Sequence, residues 1–230
     1  MQFKIITNKI LRGCLSSLLT NNYKKSYKDF RKFVKLEISK EEFEEFKKRA
    51  ITTEELVKII KKTLIDTESE VERMKKIWNK KEKQIVNAIN KITNIGVDTT
   101  KIICYVDPYQ NGGYYGEDNI TVGTYKNPED VLFVTAHELF HIFYWRKLAE
   151  LKITKSVMGK EKFYEWQLAE AVVHILTTDK RMRKYWKNIE IEPYPEIKET
   201  LKKIRMLWKE KPFDEFIKKS YKKITTTNLK

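Results

Sequence analysis

Histidine is almost missing from this chain, with 3 in 230 residues. Cysteine is scarcer still at 2, and the residues that interrupt regular structure are few, 7 glycines and 5 prolines. Cys14 and Cys104 are far apart and in no metal-ligand spacing, which excludes a disulfide framework or a thiolate zinc cluster and makes a reducing compartment the simpler expectation. So little glycine and proline predicts a chain dominated by helix. No apolar run approaches the roughly 18 residues that a membrane span needs. Ile5–Thr20 is mildly apolar, but Lys9 and Arg12 interrupt it and it forms no signal-peptide core. Leu11-Arg12-Gly13-Cys14 faintly suggests a lipoprotein cleavage site, with an arginine that fits poorly. The expected location is cytoplasmic.

Negative charge is also in the minority. Lys and Arg number 47 against 32 Asp and Glu, for a net charge of +15 and a pI near 9.5. Such a balance suits an acidic partner, and a basic nucleic-acid-binding module is one alternative reading. The distribution speaks against it. Lysines alternate with glutamates along Lys40–Lys48 and Lys58–Lys83, as on solvated helix faces, so nucleic acid is not the favoured partner.

Residues 1–96 read as a helical module, either separate or integral to one domain. Gln2–Thr7 suggests a short strand or arm, and Tyr27, Phe30, Phe33 and Val34 recur at helical spacing within 23–36. Ser39-Lys40-Glu41-Glu42 and Thr52-Thr53-Glu54-Glu55 are capping boxes, the second opening a long helix to about Trp78. A further helix carries Ile85, Val86, Ala88, Ile89 and Ile92 and stops at Asn94-Ile95-Gly96. After Gly96 the pattern changes. Lys101–Asp107 and Asn119–Tyr125 read as strands around a glycine-rich turn, and Asn127-Pro128-Glu129-Asp130 starts a helix cleanly. A Lys-rich connection through Gly159 leads to a helix over 161–178, then to helices at 196–209 and 212–221 and a frayed 225–230. The fold class expected is α+β and predominantly helical, with a small sheet beside the 127–150 helix and the second region spanning 97–230.

What the chain does contain is His137-Glu138-Leu139-Phe140-His141 inside an apolar run. A helix puts positions four apart on one face, so His137 and His141 can present two imidazoles to one zinc ion. Glu138 projects beside them as a candidate general base. With histidine so rare, the pattern would arise by chance in only about 0.4% of shuffled chains. A buried carboxylate in such a run also needs a compensating partner, and a cation supplies one.

Catalytic zinc sites usually add a third protein ligand. The candidates are Glu170, His174 and Glu165. Leu168–Leu176 is apolar except for Glu170 and His174, four apart on one face, which favours Glu170 as ligand and His174 as a neighbour that steadies the site or donates to a transition state. Glu165 lies just outside the apolar run. Tyr114, Tyr115 and Tyr164 are further candidates for stabilising a developing oxyanion.

His137, Glu138 and His141, followed 29 residues later by Glu170 on its own helix, resemble the gluzincin metallopeptidases, the thermolysin-like clan. The resemblance covers roughly 101–178. It implies a zincin-like core, Zn²⁺ held by His137, His141 and Glu170, Glu138 as general base, and a peptide or protein substrate. It also implies a substrate-pairing edge strand, for which Asn119, Ile120, Thr121, Val122 and Gly123 are placed just before the motif helix. In many thermolysin-like members an Asp stands four residues after the ligand Glu; here that position is His174. A second, regulatory group of zincin-like proteins, of the ImmA/IrrE type, cleaves one dedicated partner or acts without proteolysis. For that group Glu165 would be the matching ligand.

Overall fold

A computed structural model of the chain describes residues 1–7, 10–12, 15, 26–63, 66–96, 98–109, 111–154, 162–208 and 212–228. Cys14, most of the apolar 5–20 stretch and the connection through Gly159 lie outside the described residues. The architecture is α+β and mostly helical, with one four-stranded mixed sheet.

The N-terminal strand β1 (Gln2–Ile5) is followed by α1 (Tyr27–Phe33), α2 (Lys40–Phe46) and α3 (Thr53–Thr63). Both capping boxes form. Ser39 Oγ accepts from Glu42 N while Glu42 Oε2 accepts from Ser39 N, and Thr52 and Glu55 exchange the same pair of bonds. The helix expected to continue to Trp78 is instead two. α3 ends at Thr63, and Asp66 caps a new helix, α4 (Thr67–Asn79), by accepting from Ser69 N at 3.0 Å. α5 (Glu82–Thr93) ends on Asn94, which takes the left-handed conformation at φ 53°. Asparagine tolerates that conformation, so the stop is two residues earlier than the glycine.

Three more strands follow: β2 (Ile103–Asp107), β3 (Gly113–Tyr115) and β4 (Asn119–Gly123). Their order is β1-β2-β4-β3, with β1, β2 and β4 parallel and β3 antiparallel to β4. The chain therefore runs from β2 to the outer edge and returns through the middle. The long helix α6 (Pro128–Glu150) packs against β3, β4 and α7 (Phe163–Thr178). The single-turn α8 (Lys180–Arg183), a 3-10 turn at Pro195–Ile197, α9 (Lys198–Trp208) and α10 (Phe213–Asn228) complete the chain. The tail expected to fray from Thr225 is helical to Asn228. Thr225 and Thr226 donate their hydroxyls to the carbonyls of Tyr221 and Lys222, four residues back, which closes the last turns.

Among the described residues, two groups of buried side chains form the core. One gathers Ile6, Phe30, Phe43, Phe46, Leu56 and Ile59 with Tyr109. The other runs from Val71 to Ile224 and takes in α4, α5, the sheet, α6, α7, α9 and α10, with Trp78 and Trp186 fully buried. The first 96 residues are thus shared between both cores, and β1 joins the sheet of the second half. α6 and α7 lie at the centre of the larger core and are apolar on nearly every side, which is why their few polar residues stand out.

Candidate metal centre

Asn127 accepts from Glu129 N at 3.0 Å, Pro128 stands in the first turn, and Glu129 and Asp130 face the positive end of α6. This start fixes the register of the helix, and His137 and His141 then fall on the side facing α7. Glu170 meets them there. His137 Nε2 lies 3.4 Å from Glu170 Oε2, His141 Nε2 lies 3.3 Å from Glu170 Oε1, and the two Nε2 atoms are 3.2 Å apart. A tetrahedral zinc ion with bonds of about 2.0–2.1 Å needs ligand atoms about 3.3–3.4 Å from one another. The donor set and its spacing fit such an ion, and these three residues form the group that could hold one among the described residues.

The ligand group is mostly withdrawn from solvent. His141 is 1% exposed, Glu170 7% and Glu138 5%, whereas His137 opens partly to the surface. Burial pushes Glu170 upward, but the charge on His141 and the close approach of both imidazoles outweigh it and hold the carboxyl well below the usual range. Burial likewise lowers His137, yet the Glu170 contact and the charge of Glu138 turn its net shift upward. Glu138 is raised by burial against the pull of both histidines. It makes no hydrogen bond to a described residue, so a raised proton affinity leaves it suited to take and return a proton.

Aromatic rings orient the imidazoles. Tyr115 stacks on His141 with centroids 4.2 Å apart, and Phe133 meets His137 edge-on at 5.9 Å. His141 Nδ1 is buried with no hydrogen-bond partner, so ring packing stands where a carboxylate often braces a ligand histidine. His174, the residue expected to serve there, is buried and lines the same cleft, but its imidazole makes no hydrogen bond to a described residue. Burial lowers it to about 4, helped by the charges of Arg205 and His137, so it is a neutral ring at pH 7.

Glu165 is not part of the group. It is 1% exposed and accepts from Thr154 Oγ1, Tyr221 Oη and the backbone N of Lys162, which accounts for a carboxylate buried at the start of α7. The edge strand also needs correction. Asn119, Ile120, Thr121, Val122 and Gly123 pair with β2 on one side, and β3 covers the other, so β4 has no open edge. The outer strand is β3, and its Gly113, Tyr114 and Tyr115 line the cleft in front of the histidines. Of the tyrosine candidates, Tyr114 and Tyr115 border that cleft and Tyr164 does not.

Sequence reasoning missed two features. Gly112 has φ 102° and donates its N–H to Tyr125 Oη at 2.7 Å, while a Cβ on Gly113 would fall 2.6 Å from Glu138 Cγ. Glycine here lets the outer strand lie directly against the candidate base, and the Gly-Gly pair read as a turn was the only signal. The other feature is the segment 189–194, which forms the far wall of a cleft of about 690 Å³. Its composition carries no motif. No protein-family model, curated protein or solved structure matches the chain.

Proposed function

We propose that the protein is a zinc-dependent peptidase with a zincin-like centre. The observation that carries this reading is the spacing of 3.2–3.4 Å among His137 Nε2, His141 Nε2 and the Glu170 oxygens, with Glu138 beside them in one cleft. A zinc ion, when bound, supplies a Lewis acid that polarises the scissile carbonyl and acidifies water. The remaining steps belong to the chain. Glu138 takes a proton from the attacking water and delivers it to the leaving amine, so that H and OH are added across the broken C–N bond. The outer strand β3 offers its backbone to an extended peptide, and the closeness of Gly113 to Glu138 brings that peptide beside the base. Tyr115 and Phe133 hold the imidazoles in place. His174, neutral in the same cleft, is available to donate to charge developing on the carbonyl oxygen.

The test is elemental analysis of wild type, Glu170→Ala, Glu165→Ala and His174→Ala, purified without chelators. One zinc per chain, lost with Glu170→Ala and kept in the other two, is the expected result; equal zinc in all four would sink the assignment. Glu138→Gln should keep its zinc and lose about 10²–10⁴-fold in peptide hydrolysis.

A further inference from the structure

We infer that Tyr125 is a positioning residue for Glu138, acting through the outer strand β3. This rests on the peptidase reading for the role of Glu138 and adds a residue outside the ligand group to the machinery. Glu138 is almost fully buried and makes no hydrogen bond to a described residue, so no polar partner among them fixes its carboxylate. What faces it is the bare backbone of Gly113, where a Cβ would fall 2.6 Å from Glu138 Cγ. The place of the base is therefore set by the place of β3.

β3 is 3 residues long and, among the described residues, pairs with β4 alone. Its two ends are held differently. At the far end Tyr115 stacks on His141, and Gly116 N donates to Asn119 O at 2.7 Å. At the end beside Glu138 the ladder is incomplete. Gly112 O accepts from Gly123 N at 2.8 Å, but Gly112, turned to φ 102°, donates its own N–H to Tyr125 Oη at 2.7 Å and not to β4. A side-chain hydroxyl thus stands in for the missing half of a ladder pair, one residue from the contact with the base.

Tyr125 is itself well held. It lies in the link between β4 and α6, just before the Asn127 cap, and its ring packs against the larger core. The link that sets the start of the motif helix therefore also reaches back to the strand in front of that helix. Tyr125 lines the cleft, and burial pushes its hydroxyl up to about 12, with the charges of Glu138 and Asp130 adding to the shift and the Gly112 N–H opposing it. It is a neutral hydroxyl at pH 7, within electrostatic reach of the base. Removing it would leave the Gly112 N–H without its acceptor and release the end of β3 that bounds Glu138.

Tyr125→Phe removes the hydroxyl and keeps the ring. In the zinc-loaded protein, kcat for peptide hydrolysis should fall about tenfold, the scale of one hydrogen bond, with zinc content unchanged. The same change in the Glu138→Gln background, where no base remains to be positioned, should leave the residual kcat unaltered. An equal loss in both backgrounds would mean that Tyr125 acts on the substrate directly or on the fold at large, and would overturn the inference; so would an unchanged kcat in the Tyr125→Phe protein. Proton NMR gives a readout without turnover. The cross-peak between Gly113 Hα and Glu138 Hγ should weaken in Tyr125→Phe, and the Gly112 amide should exchange faster with solvent. Equal cross-peaks in the two proteins would overturn the inference whether or not the protein cleaves peptides. The two readings fail separately. A wild type that hydrolyses no peptide sinks the peptidase and leaves the dependence of Glu138 on Tyr125 to the cross-peak, whereas hydrolysis indifferent to Tyr125→Phe leaves the peptidase standing and removes the positioning role.

Discussion

At the scale of single residues, the centre depends on a close approach that has nothing to do with ligands. Gly113 carries no side chain, and a methyl there would meet Glu138 at its Cγ, 2.6 Å away. Gly113→Ala should therefore push the Glu138 carboxylate off its position while leaving His137, His141 and Glu170 untouched. The expected result is full zinc content with peptide hydrolysis lowered about 10²-fold, since a displacement near 1 Å of a reacting group costs on that order. Loss of zinc together with activity would show that β3 supports the ligands and not the base. His174 gives a second prediction at this scale. Its proton affinity falls from the ordinary histidine value to about 4 on folding. The unfolded chain therefore binds that proton first, and folding is penalised as pH drops below about 6.5, with no further loss once below about 4. His137 shifts the opposite way, so the two must be separated by substitution. In chelator, urea midpoints of His174→Gln should fall less than those of wild type between pH 6.5 and 4. Parallel pH profiles would contradict the assignment of His174 as a buried neutral ring.

At the scale of elements, what was legible in the sequence was whatever a few adjacent residues decide. The Ser39 and Thr52 capping boxes and the Asn127 start close through side chains three residues or fewer from the backbone they bond, so their pattern is their cause. The break between α3 and α4 was local too, but its signal is a lone Asp66 cap within a stretch whose apolar spacing continues on both sides. Periodicity overrode it. Asp66→Ala should cost about 1 kcal/mol, the usual worth of such a cap, read as a lower urea midpoint at unchanged slope. A loss well below that would mean that packing of Val71, Met74 and Trp78 in the larger core sets the start of α4, and not the cap. The strand assignments show the opposite limit. Alternation found β2 and β4, yet nothing within either segment states that β3 crosses outside β4 and takes the edge. Pairing order is decided between segments distant in sequence.

At the scale of the whole molecule, the candidate site joins parts that differ in how readable they were. His137, Glu138 and His141 share one helix, so spacing alone brought them together. Glu170 was read from another principle, the cost of a carboxylate inside an apolar helix, and α7 packs it against α6 at 3.3–3.4 Å from both imidazoles. Glu165 met the same criterion in the structure but found hydrogen bonds to Thr154 and Tyr221, partners that sequence could not supply. The wall at 189–194 was silent because its meaning lies in what it faces. Because the centre spans α6 and α7, which form the middle of the larger core, a bound ion would clamp that core against unfolding. A metal that binds only the folded chain at about 100 times its dissociation constant adds about 2.7 kcal/mol. For a chain of this size that corresponds to roughly 5–10 °C in Tm. Wild type loaded with zinc should therefore melt that much higher than wild type in excess chelator, measured by circular dichroism. Glu170→Ala should melt at one temperature in both conditions. A chelator shift of equal size in Glu170→Ala would place the ion elsewhere, and no shift in wild type would mean that the three ligands hold no ion tightly enough to act.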